Sequence, residues 1–373
     1  MTRTTPPRAV DVAAVCPALA PLARPATRLH PRSGTPSVYD SSIGGPLLWP
    51  ADEPWPHCHG PHNWDSLVNA WNPHQLNPLQ SLVDAKLTRH DPEPWPSVAD
   101  VPSAMLSAVP RDIWEFEASG FDLDNLNLPP SQPLEGRWKP TAHVPNAMLP
   151  VAQLYTRDVP GLRPPPGKDL LQILWCPLDN ADALPETALV WRTAADVTDI
   201  LNTPPIPAAV EYGYDYIPLP CTVEPERIIE YPSDFEQLGS EPLEQMRQWA
   251  SQQHTGIDSE LGAVADCGGI EGWFISNVCV APGWKVGGHV RWGTTDPFPQ
   301  PCPTCGAETE PLLTVASCEW DAGTHSWIPY EDQSLADDYS TTVGPDVTIA
   351  RGYNMVLRVC PTSPDHPHVQ LMQ

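Results

Sequence analysis

Proline occupies 50 of the 373 positions and is spread from Pro6 to Pro367. Each one fixes φ near −65° and removes a backbone donor, which stops helices and interrupts the interior of sheets. A share of about 13%, against a usual ~5%, makes long helices scarce and loops many. Glycine adds 23 residues, so the two together stay below the ~25–30% of low-complexity chains. The chain is 41% hydrophobic and has 15 tryptophans, enough apolar surface for a core. A globular, loop-rich, mainly β fold with a few peripheral helices is expected.

A repeat organises the chain. Ile43-Gly44-Gly45-Pro46-Leu47-Leu48-Trp49 is echoed by Val286-Gly287-Gly288-His289-Val290-Arg291-Trp292 at a spacing of 243 residues. The echo continues in register, with Glu53-Pro54-Trp55-Pro56 matching Asp296-Pro297-Phe298-Pro299. A cysteine follows each copy: Cys58 in the first and, one residue later in register, Cys302 in the second. The apolar runs Leu170 to Cys176 and Leu312 to Cys318 extend the match and read as buried strands. The glycine pairs permit a left-handed turn or a close backbone approach, and no phosphate-binding pattern follows either of them.

The repeat predicts one domain over residues 1–373 built from two related halves. The first half spans 35–200 and carries a loop-rich insert at 59–147; the second spans 201–373 and carries a C-x-x-C pair. Short helices are expected at 81–87 and 104–116 inside the insert, and a proline-broken one at 10–22. Strands are expected at 187–192, 220–231, 273–280 and 354–359. The clearest helix spans 233–253: Ser233 and Glu236 form a capping box, and Phe235, Leu238, Met246 and Trp249 share a face, with Gly239 and Pro242 as break points.

Five short motifs occur in order: Ser41-Ser42-Ile43-Gly44-Gly45, the aromatic-proline run ending at Trp55-Pro56, Val151-Ala152-Gln153-Leu154, Leu170-Leu171-Gln172-Ile173, and Lys285-Val286-Gly287-Gly288. In these the chain resembles the YwqG-like family, a bacterial family of unknown function, from about residue 35 to the C-terminus except the insert. The resemblance implies a mainly β, roll-like, internally duplicated fold with peripheral helices. Members occur near bacterial toxin–immunity loci, which implies a binding role and no particular chemistry.

The strongest chemical signal is Cys302-Pro303-Thr304-Cys305-Gly306, the spacing of a zinc knuckle. Zinc takes four ligands, and Cys360-Pro361-Thr362-Ser363-Pro364-Asp365-His366 supplies a thiolate and an imidazole on a proline-stiffened loop. The predicted structural zinc site is therefore Cys302, Cys305, Cys360 and His366, with His368 as the substitute for His366. A redox role for the C-x-x-C needs a helix after the first cysteine, which Pro303 and Gly306 oppose. A second group, His57-Cys58-His59-Gly60-Pro61-His62 with Asp65 and His74 nearby, holds four candidate ligands, though loop histidines are more often solvated.

Charge and motifs then limit the function. The net charge is −26, divided as +4 over residues 1–33 and −30 over the rest, and no basic stripe with interleaved aromatics is present. Such a field repels nucleic acid and anionic membranes and suits a basic protein partner. No apolar run approaches the ~18 residues of a membrane span, and residues 10–15 make a poor signal peptide. Ten cysteines are then read as reduced thiols in the cytoplasm. No nucleophile elbow, H-E-x-x-H or P-loop is found. The reading is a non-enzymatic cytoplasmic binding module with a structural zinc. A metal-dependent hydrolase and a carbohydrate-binding domain using the insert tryptophans (Trp64, Trp71, Trp95, Trp114, Trp138) are the alternatives.

Overall fold

The computed structural model describes residues 2–60, 62, 145–180, 182–207, 215–235, 238–252 and 269–373, with the strands Val68–Ala70, Trp114–Ala118, Gly136–Pro140 and Ala209–Glu211. Two six-stranded antiparallel sheets form the frame. Their strands, in chain order, are β1 (Arg24–Arg28), β2 (Arg32–Ser33), β3 (Ser42–Ile43), β4 (Leu149–Tyr155), β5 (Leu170–Asp179) and β6 (Pro185–Arg192). They continue with β7 (Cys221–Thr222), β8 (Glu226–Glu230), β9 (Lys285–Gly287), β10 (Glu310–Ala316), β11 (Asn354–Val359) and β12 (Val369–Met372). The first sheet runs β6-β5-β4-β3-β7-β2 and the second β8-β1-β9-β10-β11-β12. The fold is mainly β with a few peripheral helices, as the proline content predicts.

Both sheets contain the same antiparallel run, β3-β4-β5-β6 in one and β9-β10-β11-β12 in the other. In the first, Ile43, Ala152, Ile173 and Leu189 face one another across the strands. In the second, Val286, Leu313, Leu357 and Gln370 do so. The two runs share a bulge at the same place. The pairing skips Val151 between Pro150 and Ala152, and skips Leu312 between Pro311 and Leu313. A proline, which has no N–H to give the ladder, stands at each bulge, where its cost is small. These registers correct one match made on composition: Leu170 to Cys176 corresponds to residues 354–360, and Leu312 to Cys318 to residues 151–157. All four runs are short and apolar, so only pairing separates them.

The core lies between the sheets. Leu171, Ile173 and Trp175 of β5 project into one apolar cluster with Val286, Leu313 and Leu357. Full burial of each such side chain is worth about 1.5–3 kcal/mol. The alternate residues Leu174, Cys176 and Leu178 face the other side, against Trp49, Trp55 and Cys58. The outer face of the second sheet is built in the same way, with Val356 against Val290 and Trp292. The repeat aromatics pair over both outer faces: Trp49 and Trp55 at 5.1 Å between ring centres, Trp292 and Phe298 at 5.8 Å. Gly44 (φ 64°) and Gly287 (φ 71°) both take the left-handed turn that the repeat implied.

Several elements depart from expectation. Residues 273–280 are not a strand; the helix Gly269–Phe274 continues into a π-turn at Ile275–Cys279. Phe274, Val278, Cys279 and Val280 are all fully buried with Phe235 and Met246, and an apolar run interrupted only by Ser276 and Asn277 is too short of polar positions to show a helical period. The helix expected over 233–253 begins only at Ser240 (Ser240–Gln252), after Gly239 at φ 95°. The helix expected over 104–116 falls outside the described residues except at its end, which is in the strand Trp114–Ala118. The 81–87 segment lies wholly outside them. Residues 10–22 form a short helix, Val12–Val15, and a 3-10 turn, Pro17–Leu22.

Beneath the second sheet, buried charges tie the N-terminal segment down. Lys285 Nζ lies 2.6 and 2.8 Å from the two oxygens of Glu230 and donates to the His289 carbonyl at 3.0 Å. The same carboxylate accepts from the backbone N–H of Ala281 at 2.9 Å and of His289 at 2.8 Å. Arg28 donates to the Thr5 hydroxyl and the Trp327 carbonyl, and Arg3 pairs with Asp332 and Glu224. His30, fully buried, contacts Glu226 at 3.0 Å through Nε2 and faces Glu319 at 3.9 Å through Nδ1.

Candidate metal centre

The C-x-x-C turn precedes β10 and Cys360 follows β11. Because Glu310 pairs with Val359, both lie at one end of the second sheet. The turn is set by its own backbone: Gly306 N–H donates to the Cys302 carbonyl at 2.9 Å, and Cys302 N–H to the Ala307 carbonyl at 2.8 Å. Gly306 has φ 73°, a conformation that costs a side-chain-bearing residue about 1–2 kcal/mol. Arg358 fixes the knuckle to the sheet, donating from Nε to the Thr309 hydroxyl and from Nη2 to Glu308, both at 2.9 Å. Glu308 in turn accepts from the Gln300 N–H at 2.9 Å.

Four ligand atoms converge there. Cys302, Cys305, Cys360 and His366 place their sulfur and nitrogen atoms within 4.8 Å of one another. His366 Nδ1 lies 3.5 Å from Cys302 Sγ and 3.3 Å from Cys360 Sγ, and the Cys305 and Cys360 sulfurs are 3.5 Å apart. Zn–S of ~2.3 Å and Zn–N of ~2.0 Å imply tetrahedral edges of about 3.5–3.8 Å, close to these separations. Nearby backbone N–H groups lower the thiols: those of Cys305 and Thr304 act on Cys302, Ala307 on Cys305, and Thr362 and Ser363 on Cys360. They stabilise thiolate. The Thr362 hydroxyl, 2.9 Å from Cys360, pulls that thiol down to about 5, and at 3.3 Å it lowers Cys305 as well. Contact with Cys360 raises His366, and burial raises Cys302. The group could hold a metal ion, and its four donors are as many as a tetrahedral zinc site takes.

His368, the substitute for His366, stands elsewhere: its Nε2 lies 2.7 Å from the Thr187 hydroxyl on β6. The loop group at 57–62 divides. His57 turns its Nδ1 to the Trp55 carbonyl at 2.8 Å and is exposed, as is His59. Cys58 and His62 instead meet Cys176, the ligand that sequence reasoning missed, in a trio that could also hold a metal ion. Asp65, His74 and the insert tryptophans lie outside the described residues or have no described side chain. Of the repeat tryptophans, Trp49, Trp55 and Trp175 are buried and Trp292 is half-buried. Among the described residues no helix is long and apolar enough to cross a membrane. No protein-family model matches the chain, and no curated protein matches it.

Proposed function

We propose that this chain is a non-enzymatic, YwqG-like binding module of the cytoplasm whose second sheet is pinned by a structural zinc ion. One observation carries the reading. Three cysteines and a histidine bring their ligand atoms within 4.8 Å of one another at the ends of β10 and β11, which supports a site that takes all four of its donors from the protein. A closed site of that kind contributes to folding rather than to chemistry. The excess of carboxylates, −30 over residues 34–373, suits a basic protein partner, by steering it and rejecting phosphate-bearing ones. A role beside toxin–immunity systems agrees with such a partner.

The test begins with protein purified without a metal-binding tag. Cys305→Ser and Cys360→Ser are each expected to lose one equivalent of zinc and to melt well below the parent, as the parent does on chelation. Loss of that zinc with an unchanged melting temperature overturns the structural role. Partners cross-linked in cells are expected to be basic and to dissociate between about 0.1 and 0.5 M salt, as screening shortens the reach of surface charge. Partners held equally well at 1 M salt overturn the electrostatic part.

A further inference from the structure

The first sheet carries the corner that the second sheet uses for zinc. Ile173 of β5 and Leu357 of β11 hold the same register position, so Cys176 and Cys360, each three residues further on, do too. The Gly-Gly repeat places Cys58 one residue from the position of Cys302. Cys176 lies within β5, which runs to Asp179, and Cys360 directly follows β11, so the two share a register position rather than a strand end. Cys58 Sγ accepts from the backbone N–H of Gly60, two residues ahead, at 3.4 Å. In each sheet an aromatic pair from the repeat covers the neighbouring outer face.

His62 closes the group. Its Nε2 lies 3.3 Å from Cys58 Sγ and 3.4 Å from Cys176 Sγ, close to the sulfur–nitrogen edge of a zinc tetrahedron, about 3.5 Å. Asn146 Nδ2 contributes a further contact to Cys176 at 3.6 Å. Cys58 and Cys176 are both buried and His62 is half-buried. Two thiolates and an imidazole select a borderline-soft ion of zinc's class over magnesium or calcium.

We infer that Cys58, His62 and Cys176 are ligands of a second metal ion, and that the two centres are the same corner of one β unit present twice in the chain. The first copy uses His62 four residues after Cys58, where the second uses Cys305 three residues after Cys302. The inference does not depend on the binding role proposed above, and different variants report on the two sites.

The experiment counts zinc per chain by native mass spectrometry and elemental analysis. The parent is expected to carry two equivalents. Cys58→Ser with Cys176→Ser, and separately His62→Gln, are expected to carry one, still bound by the second sheet. Cys302→Ser with Cys305→Ser is expected to carry one, bound by the first. His62→Gln changes only a half-buried loop side chain, so it reports on the site even if the cysteine pair fails to fold. In the cadmium-substituted parent, ¹¹³Cd NMR is expected to show two signals. One equivalent in the parent with no change in His62→Gln overturns the inference, as does a Cys58–Cys176 disulfide in the natively purified chain. One remaining signal in Cys302→Ser with Cys305→Ser supports the inference, and an unchanged melting temperature in that variant refutes only the structural role proposed for the second-sheet zinc.

Discussion

Replacing Lys285 by methionine tests the buried pair that anchors the turn after β9. Lys285 is 1% exposed and Glu230 0%, so water cannot replace the lost partner. The ammonium gives Glu230 two contacts, at 2.6 and 2.8 Å, and leaves the carboxylate with the backbone N–H groups of Ala281 and His289. Removing one member of a buried pair typically costs about 3–5 kcal/mol, because the survivor is a buried charge without its counter-ion. The two amides that remain hold part of the charge, so the lower end, about 3 kcal/mol, is expected for Lys285→Met. Glu230→Leu is expected to cost more. It strands the ammonium and also two buried donors at about 1–3 kcal/mol each. Urea unfolding at fixed free zinc is the assay; with a slope near ~3 kcal/mol/M, the Lys285→Met midpoint falls by roughly 1 M. The double variant should be less unstable than the two losses added together, because one contact is counted in both. A Lys285→Met midpoint within about 0.3 M of the parent, or strictly additive losses, would refute the claim that this pair is coupled and dry.

Other outcomes follow from the same geometry. Gly44→Ala places a Cβ 2.6 Å from the Pro218 carbonyl and 2.7 Å from that of Leu219, backbone that cannot swing aside, at φ 64°. It is expected to cost several kcal/mol, whereas Gly167→Ala, at φ 77° with nothing within 4 Å, should cost only about 1–2 kcal/mol; equal melting temperatures would contradict the contact argument. Burial and the neighbouring Arg28 lower His30 from 6.5, while Arg32, Glu226 and Glu319 also face it. A neutral buried histidine stabilises the fold above its unfolded value and loses that contribution as pH falls through about 6.5 and below. His30→Asn, whose side chain tolerates the φ of 45°, should flatten the stability profile below pH 6.5 by up to about 1.4 kcal/mol per pH unit; an unchanged slope in pH-resolved urea melts would show that His30 does not titrate on unfolding. Cys221, which burial raises to about 12, is expected to resist alkylation in the native protein whether or not metal is removed, and rapid labelling by mass spectrometry would place it elsewhere.

How far the sequence discloses this structure depends on where each signal is stored. The knuckle and its partners were legible because Cys302 and Cys305 lie in one turn, and Cys360 with His366 in one loop, so each pair is a local pattern. The Gly-Gly repeat was legible for the same reason. Cys176 was not: His62 and Cys176 are 114 residues apart, and nothing around Cys176 differs from an ordinary buried strand. Its role appears only when the registers set Ile173 against Leu357. The strand expected at 273–280 failed because a short run apolar except at Ser276 and Asn277 does not show the period that separates helix from strand. The start of the helix at Ser240 was hidden by a serviceable capping box upstream, overridden by Gly239.

Each sheet also borrows from the other half of the chain. β1, near the N-terminus, is hydrogen-bonded between β8 and β9, while β7 completes the first sheet beside β2 and β3. During synthesis, β1 is made about 200 residues before its partner Glu226–Glu230. At ~5–20 residues per second that is a wait of roughly 10–40 s with both edges of the strand unpaired. β1 is thus made long before either of the strands it pairs with. A break between residues 200 and 201 gives two fragments, each missing a strand that the other holds, so neither is a self-sufficient folding unit and the two must associate to regain either sheet.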